Sequence, residues 1–180
     1  VYTLSAPFTG EAKLLFKTKN RYGGTEWGNS NFALVYEALR GKARTWMNRL
    51  NPSTGEMELL MERSLNDQYN NPGSPVTVKN QFGRDVVIPE NNQLLMNNTT
   101  GASPKGDLPF LARFDLATRK NEIIWRCSED VYEMVIDVLD ANQLKVITRK
   151  ETQTVVPNYY IRNLKTKMAD VQITSFSNPY

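Results

Sequence analysis

The chain has 180 residues, of which 22 are Lys or Arg and 19 are Asp or Glu, so its formal net charge is +3. A charge this small, without a run of basic residues, does not indicate a nucleic-acid-binding protein. The chain contains no histidine and one cysteine, Cys127. These two facts exclude a Ser-His-Asp or Cys-His catalytic unit, an imidazole metal site, a disulfide framework and a Cys-cluster zinc site. No apolar run reaches the roughly 18 residues of a membrane span. We therefore expect no membrane-spanning segment, no catalytic residue, no cofactor and no metal in this chain.

A short motif recurs along the chain: a polar turn that contains threonine, followed by an apolar strand. Its copies contain Thr9, Thr54, Thr118 and, in a weaker form, Thr166. The threonines lie 45, 64 and 48 residues apart. An aromatic or aliphatic strand precedes the last three copies, which is typical of β-hairpins. A period of about 40–50 residues built from hairpins indicates a β-propeller with four strands in each blade.

The predicted strands follow this period in chain order. The first full blade has strands at about residues 22–27, 32–39, 43–50 and 57–62, the second at about 85–88, 93–98, 109–115 and 121–126, and the third at about 132–139, 143–149, 158–164 and 170–174. We therefore predict an all-β fold of about three four-stranded blades. In this interpretation residues 1–18 end a preceding blade, and successive blades cover about residues 20–64, 75–128 and 130–176 of one domain, 1–180. Typical propellers have roughly four to eight blades, so the sequence indicates a partial ring and a fragment of a larger fold.

Two long polar segments and the open ends of the partial ring lead to further predictions. Residues 66–75 and 97–109 are rich in Asn, Gly and Pro, which disfavour ladder hydrogen bonds. We expect both segments to project from the blades rather than pair within them. Because an incomplete ring leaves faces and strand edges open, we also expect self-association, with the first hairpin, Tyr2 to Leu15, pairing with another copy. Trp46 and Phe110 precede the Thr54 and Thr118 turns by the same 8 residues, so they are predicted to be equivalent buried positions.

Three carboxylates and one arginine are the residues best suited to catalysis or ligand binding. Glu129, Asp130 and Glu133 are close in sequence and could serve acid–base chemistry or bind a hard metal ion. Solvated loop charge is the favoured interpretation, because nothing in the sequence fixes their spacing. Arg149 stands at a strand end and could bind a substrate carboxylate. A structural ion pair with Glu151 or another carboxylate is the favoured alternative.

The remaining candidates are interpreted structurally. The glycines of Tyr22-Gly23-Gly24-Thr25 and of the segment from Gly101 to Gly106 lack the Gly-Lys-Ser/Thr ending of a phosphate loop and indicate turns. The aromatic residues could stack on single-stranded nucleic acid, but at strand spacing they favour a core between blades. Cys127 is expected to be a small buried apolar residue.

Nine motifs occur in order over about residues 20–180: Trp27-Gly28, Leu34-Val35-Tyr36-Glu37, Arg44-Thr45-Trp46, Asp67 to Pro75, Gly101 to Leu111, Tyr132-Glu133, Thr148 to Glu151, Pro157-Asn158-Tyr159 and Thr174 to Tyr180. Together they resemble the N-terminal β-propeller of prolyl oligopeptidase family serine peptidases, in the glutamyl endopeptidase-like or dipeptidyl aminopeptidase-like branch. The two long loop motifs are the more specific ones, and the others are ordinary propeller hairpins.

The resemblance implies a parent protein in which the propeller caps a C-terminal α/β-hydrolase domain. That domain would carry its serine in a Gly-x-Ser-x-Gly turn, followed by Asp and His, whereas this chain has neither the motif nor a histidine. The chain alone is thus expected to be inactive and to be the non-catalytic part that gates the active site and helps to bind peptide substrates. The implied partners are the hydrolase domain and a peptide, and the implied location is periplasmic or secreted. No residue matches a substrate-binding motif closely enough to be assigned.

Two other interpretations stay open at this point. The chain could be a stand-alone propeller for protein interaction or glycan binding, which a downstream Gly-x-Ser-x-Gly segment would argue against. It could also be an unrelated β-sandwich with an adhesive function, although the 45- and 48-residue intervals favour blades.

Overall fold

A computed structural model describes residues 1–166 and 168–178 of the chain. The described residues are β-strands, turns and loops, with a 3-10 turn at Arg40–Lys42. The chain divides into two compact units. Unit 1 comprises Val1–Asp67 and Thr77–Glu90, and unit 2 comprises Gln68–Val76 and the chain from Asn91 onward.

The strands in chain order are β1 (Tyr2–Thr3), β2 (Lys13–Leu14), β3 (Arg21–Asn29), β4 (Phe32–Leu39), β5 (Arg44–Leu50), β6 (Met57–Ser64), β7 (Ser74–Pro75), β8 (Val78–Lys79), β9 (Asp85–Val86), β10 (Gln93–Asn98), β11 (Ala102–Ser103), β12 (Gly106–Asp107), β13 (Phe110–Asp115), β14 (Asn121–Arg126), β15 (Tyr132–Asp140), β16 (Lys145–Glu151), β17 (Asn158–Asn163) and β18 (Val171–Gln172).

Unit 1 is built around a four-stranded antiparallel sheet in the order β3-β4-β5-β6. Successive side chains of a strand point to opposite faces, so Ala33, Val35 and Leu50 share one face of this sheet. They form a buried cluster with Phe16, which follows β2. β1 and β2 form a separate two-stranded sheet. The first hairpin is therefore held in place by packing against the sheet, not by joining its ladder.

Unit 2 contains two four-stranded antiparallel sheets, ordered β14-β13-β10-β7 and β15-β16-β17-β18. Their shared core is a cluster of Leu111, Val135 and Val146, with Ile124 and Trp125 packed against it. Burying one such aliphatic side chain stabilises a fold by about 1.5–3 kcal/mol. Four-stranded antiparallel sheets that follow one another in the chain are typical of the blades of a propeller. The predicted fold class, about three blades of a partial propeller, is confirmed.

An Asn or Asp side chain anchors the repeated turn, three residues before the repeated threonine. Asn51, Asp115 and Asn163 each accept hydrogen bonds at Oδ1 from backbone N–H groups two or three residues later, at 2.7–3.2 Å. These are Asx turns, in which the side chain replaces a backbone acceptor. The weakest copy of the motif includes Lys167, which lies outside the described residues.

The second blade differs from its prediction at the edge strand. Residues 85–88 were predicted to form it, but β9 pairs with β8 in a separate hairpin, and β7 pairs with β10 instead. Pro75 has no N–H to donate, so it is tolerated at the edge of a sheet. Gly73 has φ +89, and a Cβ there would lie 2.3 Å from the carbonyl oxygen of Asn97. Glycine therefore allows the chain to approach β10 closely enough to pair.

The two predicted loops consequently pair more than the sequence indicates. Residues 66–75 end in an edge strand of the blade, so the expectation that they project without pairing is wrong for Ser74–Pro75. Residues 97–109 begin within β10 and contain the hairpin β11–β12.

Smaller differences occur in the third blade, where β16 is Lys145–Glu151 rather than 143–149 and β18 is Val171–Gln172 rather than 170–174.

Trp46 and Phe110 occupy equivalent positions but differ in burial. Each lies five residues before the Asx residue of its turn. Phe110 is 4% exposed, and the guanidinium carbon of Arg126 lies 4.9 Å from its ring centroid. Trp46 is only half-buried. The expectation that both belong to a closed core therefore holds for Phe110 and is wrong for Trp46 in this chain.

This difference predicts unequal effects of truncation. Phe110→Ala should lower the free energy of unfolding by about 3–5 kcal/mol because it removes a buried ring and leaves a cavity. Trp46→Ala should cost less, about 1–2 kcal/mol, because part of the ring already contacts solvent. Urea denaturation of the two variants measures both values, and equal losses would contradict the assigned burial.

Candidate functional site

A cleft lies in unit 2, at the end of its sheets where three connections meet. These are the connections from β10 to β13, from β14 to β15 and from β16 to β17. The cleft has a volume of about 690 Å³. Its lining residues are Lys105, Asp107, Leu108, Glu129, Asp130, Val131, Tyr132, Glu151, Thr152, Gln153 and Thr154. Loops carried by rigid sheets are where propellers and other β folds place binding residues.

The hairpin β11–β12 forms one wall of the cleft, and its base is closely packed. The N–H of Leu108 donates to the carbonyl of Gly101 at 3.0 Å. Gly101 has φ +63, and a Cβ there would lie 1.8 Å from the Leu108 carbonyl oxygen. Asn98, which is 4% exposed, accepts from the N–H of Gly101 at 2.7 Å and donates to the carbonyl of Asn71 at 2.8 Å. The base of the hairpin is therefore fixed, and it presents Lys105 and Asp107 to the cleft.

Charged side chains in and beside the cleft are partly paired. Lys105 forms an ion pair with Glu129 across the cleft. Arg149 binds Glu151 through two hydrogen bonds, of 3.1 and 3.3 Å. Arg149 is thus in the structural ion pair that the sequence favoured. Four of the lining side chains are carboxylic, and Lys105 is the lining cation, so the cleft favours ligands with positive charge or hydrogen-bond donors.

Tyr132 lies on the floor of the cleft and is the one aromatic side chain among the lining residues. Its hydroxyl donates to the carbonyl of Thr99 at 3.1 Å. Burial raises the pKa of Tyr132, and the negative charges of Asp107, the Cys127 thiolate and Glu151 raise it further, while Arg149 opposes them. The phenol therefore stays protonated at neutral pH, and its proton is held by the carbonyl of Thr99.

The two exposed acidic residues of the β14–β15 connection are ordinary solvated carboxylates. Hydrogen bonds from the Ser128 hydroxyl and from its own backbone N–H lower the pKa of Asp130, with a smaller contribution from Lys150. Asp130 is therefore ionised at neutral pH. Glu129 is held by Lys105.

Glu133 does not join those carboxylates but lines a second, smaller cavity of about 210 Å³. Glu133 is 5% exposed, and its Oε2 accepts from Arg162, whose Nε also donates to Asp170 at 2.8 Å. The Oε1 atom of Glu133 is buried and has no hydrogen-bond partner among the residues that the structure describes. Arg162 stands at the position equivalent to Leu50 and Phe114, immediately before the Asx residue, so the third blade replaces a buried apolar residue with an ion pair.

The sequence-predicted residues are thus separated by the structure. Glu129 and Asp130 line the large cleft, whereas Glu133 lies in the small cavity. Within residues 1–166 and 168–178, no group of three or more His, Cys, Asp or Glu side chains is placed to hold a metal ion. Cys127 is 5% exposed, as expected, and burial raises the pKa of its thiol, which disfavours the reactive thiolate.

Sequence reasoning missed Tyr132 and Arg162 as residues of interest. Tyr132 carried no motif signal beyond the resemblance. Arg162 could have been found by aligning the three turns on their Asx residues, because a charged residue at an otherwise apolar position requires a buried partner.

In the described part of the chain, no helix is long and apolar enough to cross a membrane.

Comparison with known proteins finds two relatives that are named as peptidases. It is 36% identical over 191 residues to a probable glutamyl endopeptidase, chloroplastic, of Oryza sativa subsp. japonica, covering 97% of this chain and 20% of that protein. It is 32% identical over 200 residues to the protein of the same name in Arabidopsis thaliana, covering 100% of this chain and 20% of the relative. The chain resembles part of a glutamyl endopeptidase over its whole length. The resemblance to the glutamyl endopeptidase-like branch is therefore confirmed.

The chain spans about one fifth of the length of the glutamyl endopeptidases that it matches. No family model matches the chain. Among solved structures, TolB from Acinetobacter baumannii is similar, with a TM-score of 0.46 and 14% sequence identity over 97% of this chain and 37% of that chain.

The electrostatics of the cleft predict a specific effect on Tyr132. Asp107→Asn should lower the pKa of Tyr132 towards its ordinary value, because it removes a negative charge that opposes ionisation of the phenol. Titration of the ring-labelled tyrosines by NMR measures the change. The matched control is Glu122→Gln, an exposed carboxylate of β14 that does not line the cleft and should leave the titration unchanged. A Tyr132 pKa that does not move in Asp107→Asn would contradict this account of the cleft.

Proposed function

We propose that the chain is the non-catalytic propeller portion of a serine peptidase of the prolyl oligopeptidase family. In this role it gates access to a C-terminal α/β-hydrolase domain and helps to bind peptide substrates. The observation that carries the proposal is similarity along the whole chain to proteins named glutamyl endopeptidase, combined with blades of the propeller type. The absence of histidine from the sequence agrees with chemistry that resides elsewhere.

The proposed gating role follows from the geometry of blades and loops. A propeller placed over an active site admits substrates only through an opening or a gap, so folded proteins are excluded and extended peptides can enter. The cleft of unit 2 offers carboxylates, among them the ionised Asp130, to the N–H groups of such a peptide. The hairpin β11–β12 carries two of the lining side chains on a fixed base, which suits a wall that must keep its shape.

The compartment is a separate question. The relatives are named chloroplastic. The periplasmic or secreted location implied by the family resemblance stays a prediction for this chain, as does its self-association through the first hairpin.

The chain alone is predicted to be inert towards a serine-directed fluorophosphonate, because no histidine can activate a serine. The polypeptide encoded by the complete gene should be labelled at a single serine in a Gly-x-Ser-x-Gly segment. Mass spectrometry of both proteins after labelling identifies the modified residue. Labelling of a serine within the 180 residues would contradict the proposal, and a complete gene product without a reactive serine would favour a stand-alone binding propeller.

The gating role is tested by shortening one loop in the complete protein. Replacing residues 102–107 with a two-residue turn should raise cleavage of a folded protein substrate relative to a short peptide, because it removes one wall of the cleft. The control is an equivalent shortening of the β8–β9 hairpin, which does not line the cleft, and it should leave the ratio unchanged. An unchanged ratio in the first variant, with normal peptide cleavage, would show that this wall excludes nothing.

A further inference from the structure

One face of the unit 1 sheet can be compared directly with a face in unit 2. Ala33 pairs with Leu50, and Val146 pairs with Arg162, and Leu50 and Arg162 both precede the Asx residue of their turns. Ala33 and Val146 are therefore equivalent. By the same registers Trp27, which pairs with Ala33, is equivalent to Val138. The face that contains Trp27, Ala33, Val35 and Trp46 is called here the Trp46 face.

In unit 2 the equivalent face is covered by the preceding blade. Val146 lies in a buried cluster with Leu111 of β13, and Val138 packs against that cluster. Ile124 and Trp125, in the outermost strand of the preceding blade, cover it from the side. Two neighbouring strands, β13 and β14, thus deliver the covering side chains.

Unit 1 repeats the outer part of this arrangement. Leu15 and Phe16 follow Thr9 by the same intervals as Ile124 and Trp125 follow Thr118, and they pack on Ala33 and Val35. β1 and β2 thus correspond to the third and fourth strands of a blade, β13 and β14. In unit 2, however, β13 pairs on its inner side with β10, whereas β1 belongs to a sheet of two strands.

The centre of the Trp46 face is covered, since Ala33 and Val35 are fully buried, but its tryptophan positions are more open. Trp27 is 46% exposed, although Val138 at the same position packs in a core. Trp46 is half-buried and lines a cavity of about 400 Å³, against about 210 Å³ for the cavity over the third blade. Tyr2 of β1 is 65% exposed. Soluble proteins rarely expose large apolar patches, and such patches mark contact surfaces; the exposed aromatic side chains beside this apolar cluster agree with a contact surface.

One end of the Trp46 face is polar and buried. Glu37 is 4% exposed, and its carboxylate accepts from the N–H of Asn20 at 2.7 Å and from the amide of Asn48 at 3.2 Å. Glu37 also lines the cavity beside Trp46. The face thus combines an apolar area with a defined polar end, which favours one fixed neighbour over unspecific association.

We propose that the Trp46 face is the packing surface for a preceding blade of a longer polypeptide, and that β1 and β2 are the two outer strands of that blade. Its two inner strands come from the polypeptide before Val1, with the nearer of them pairing with β1. This inference concerns the assembly of the propeller and does not depend on the peptidase role.

Cysteine labelling compares the chain with the longer natural protein that includes the residues encoded upstream of Val1. Trp27→Cys and Trp46→Cys are made in both proteins, with Lys120→Cys, at an exposed outer turn, as the control. Maleimide labelling at each site is followed by mass spectrometry of the peptide. Circular dichroism confirms that each variant is folded.

In the 180-residue chain we expect Trp27→Cys to label at a rate close to that of the control, and Trp46→Cys to label readily but more slowly because position 46 is half-buried. In the longer protein their labelling should slow by about 100-fold, because access then requires local opening of the blades, while the control stays unchanged. Equal labelling in the two proteins would overturn the proposal, as would a gene without an upstream extension. Protection in the longer protein that appears only as its concentration rises would assign the face to a second copy and would also overturn the proposal.

Discussion

A four-stranded antiparallel blade has two apolar faces, and each face must be covered by a neighbour before the sheet is stable in water. A small isolated sheet buries too little apolar surface to offset its loss of conformational entropy. In unit 2 the cluster of Leu111, Val135 and Val146 meets this requirement between two blades. In unit 1 Phe16 meets part of it, against Ala33 and Leu50. The order of the strands, the buried positions and the open face all follow from this requirement.

Much of the fold could be predicted because its signals are local. The strands of the first blade and most of those in the third alternate or carry β-branched and aromatic residues, and polar turns separate them. The edge strand Ser74–Pro75 could not be predicted, because two residues have no periodicity and their pairing depends on a distant strand. What permits it is Gly73, where any Cβ would collide with Asn97. The half-buried state of Trp46 could not be predicted either, because the burial of a side chain on a blade face depends on what packs against that face and not on its position in the repeat.

The candidate site was harder to predict than the fold. The carboxylates near residue 130 were visible in the sequence, but their division between a cleft and a cavity depends on the alternation along β15, which turns Glu133 inward. Burial raises the pKa of Tyr132 most, and the charges of Asp107 and Glu151, which come from two other parts of the chain, raise it further. The fold brings these residues together from separate connections, and a single sequence does not give the distances between their side chains. The ion pair of Glu133 and Arg162 replaces apolar packing in the third blade at a position where Leu50 and Phe114 show what the repeat otherwise requires.

The central claim is that the Trp46 face of unit 1 is covered by a preceding blade. The most direct measurement is an experimental structure of the longer natural protein. The account predicts that β1 pairs with a further strand in a four-stranded sheet, and that this sheet buries Trp27 and Trp46. A structure in which β1 and β2 remain an isolated hairpin, with Trp46 still in contact with solvent, would contradict it.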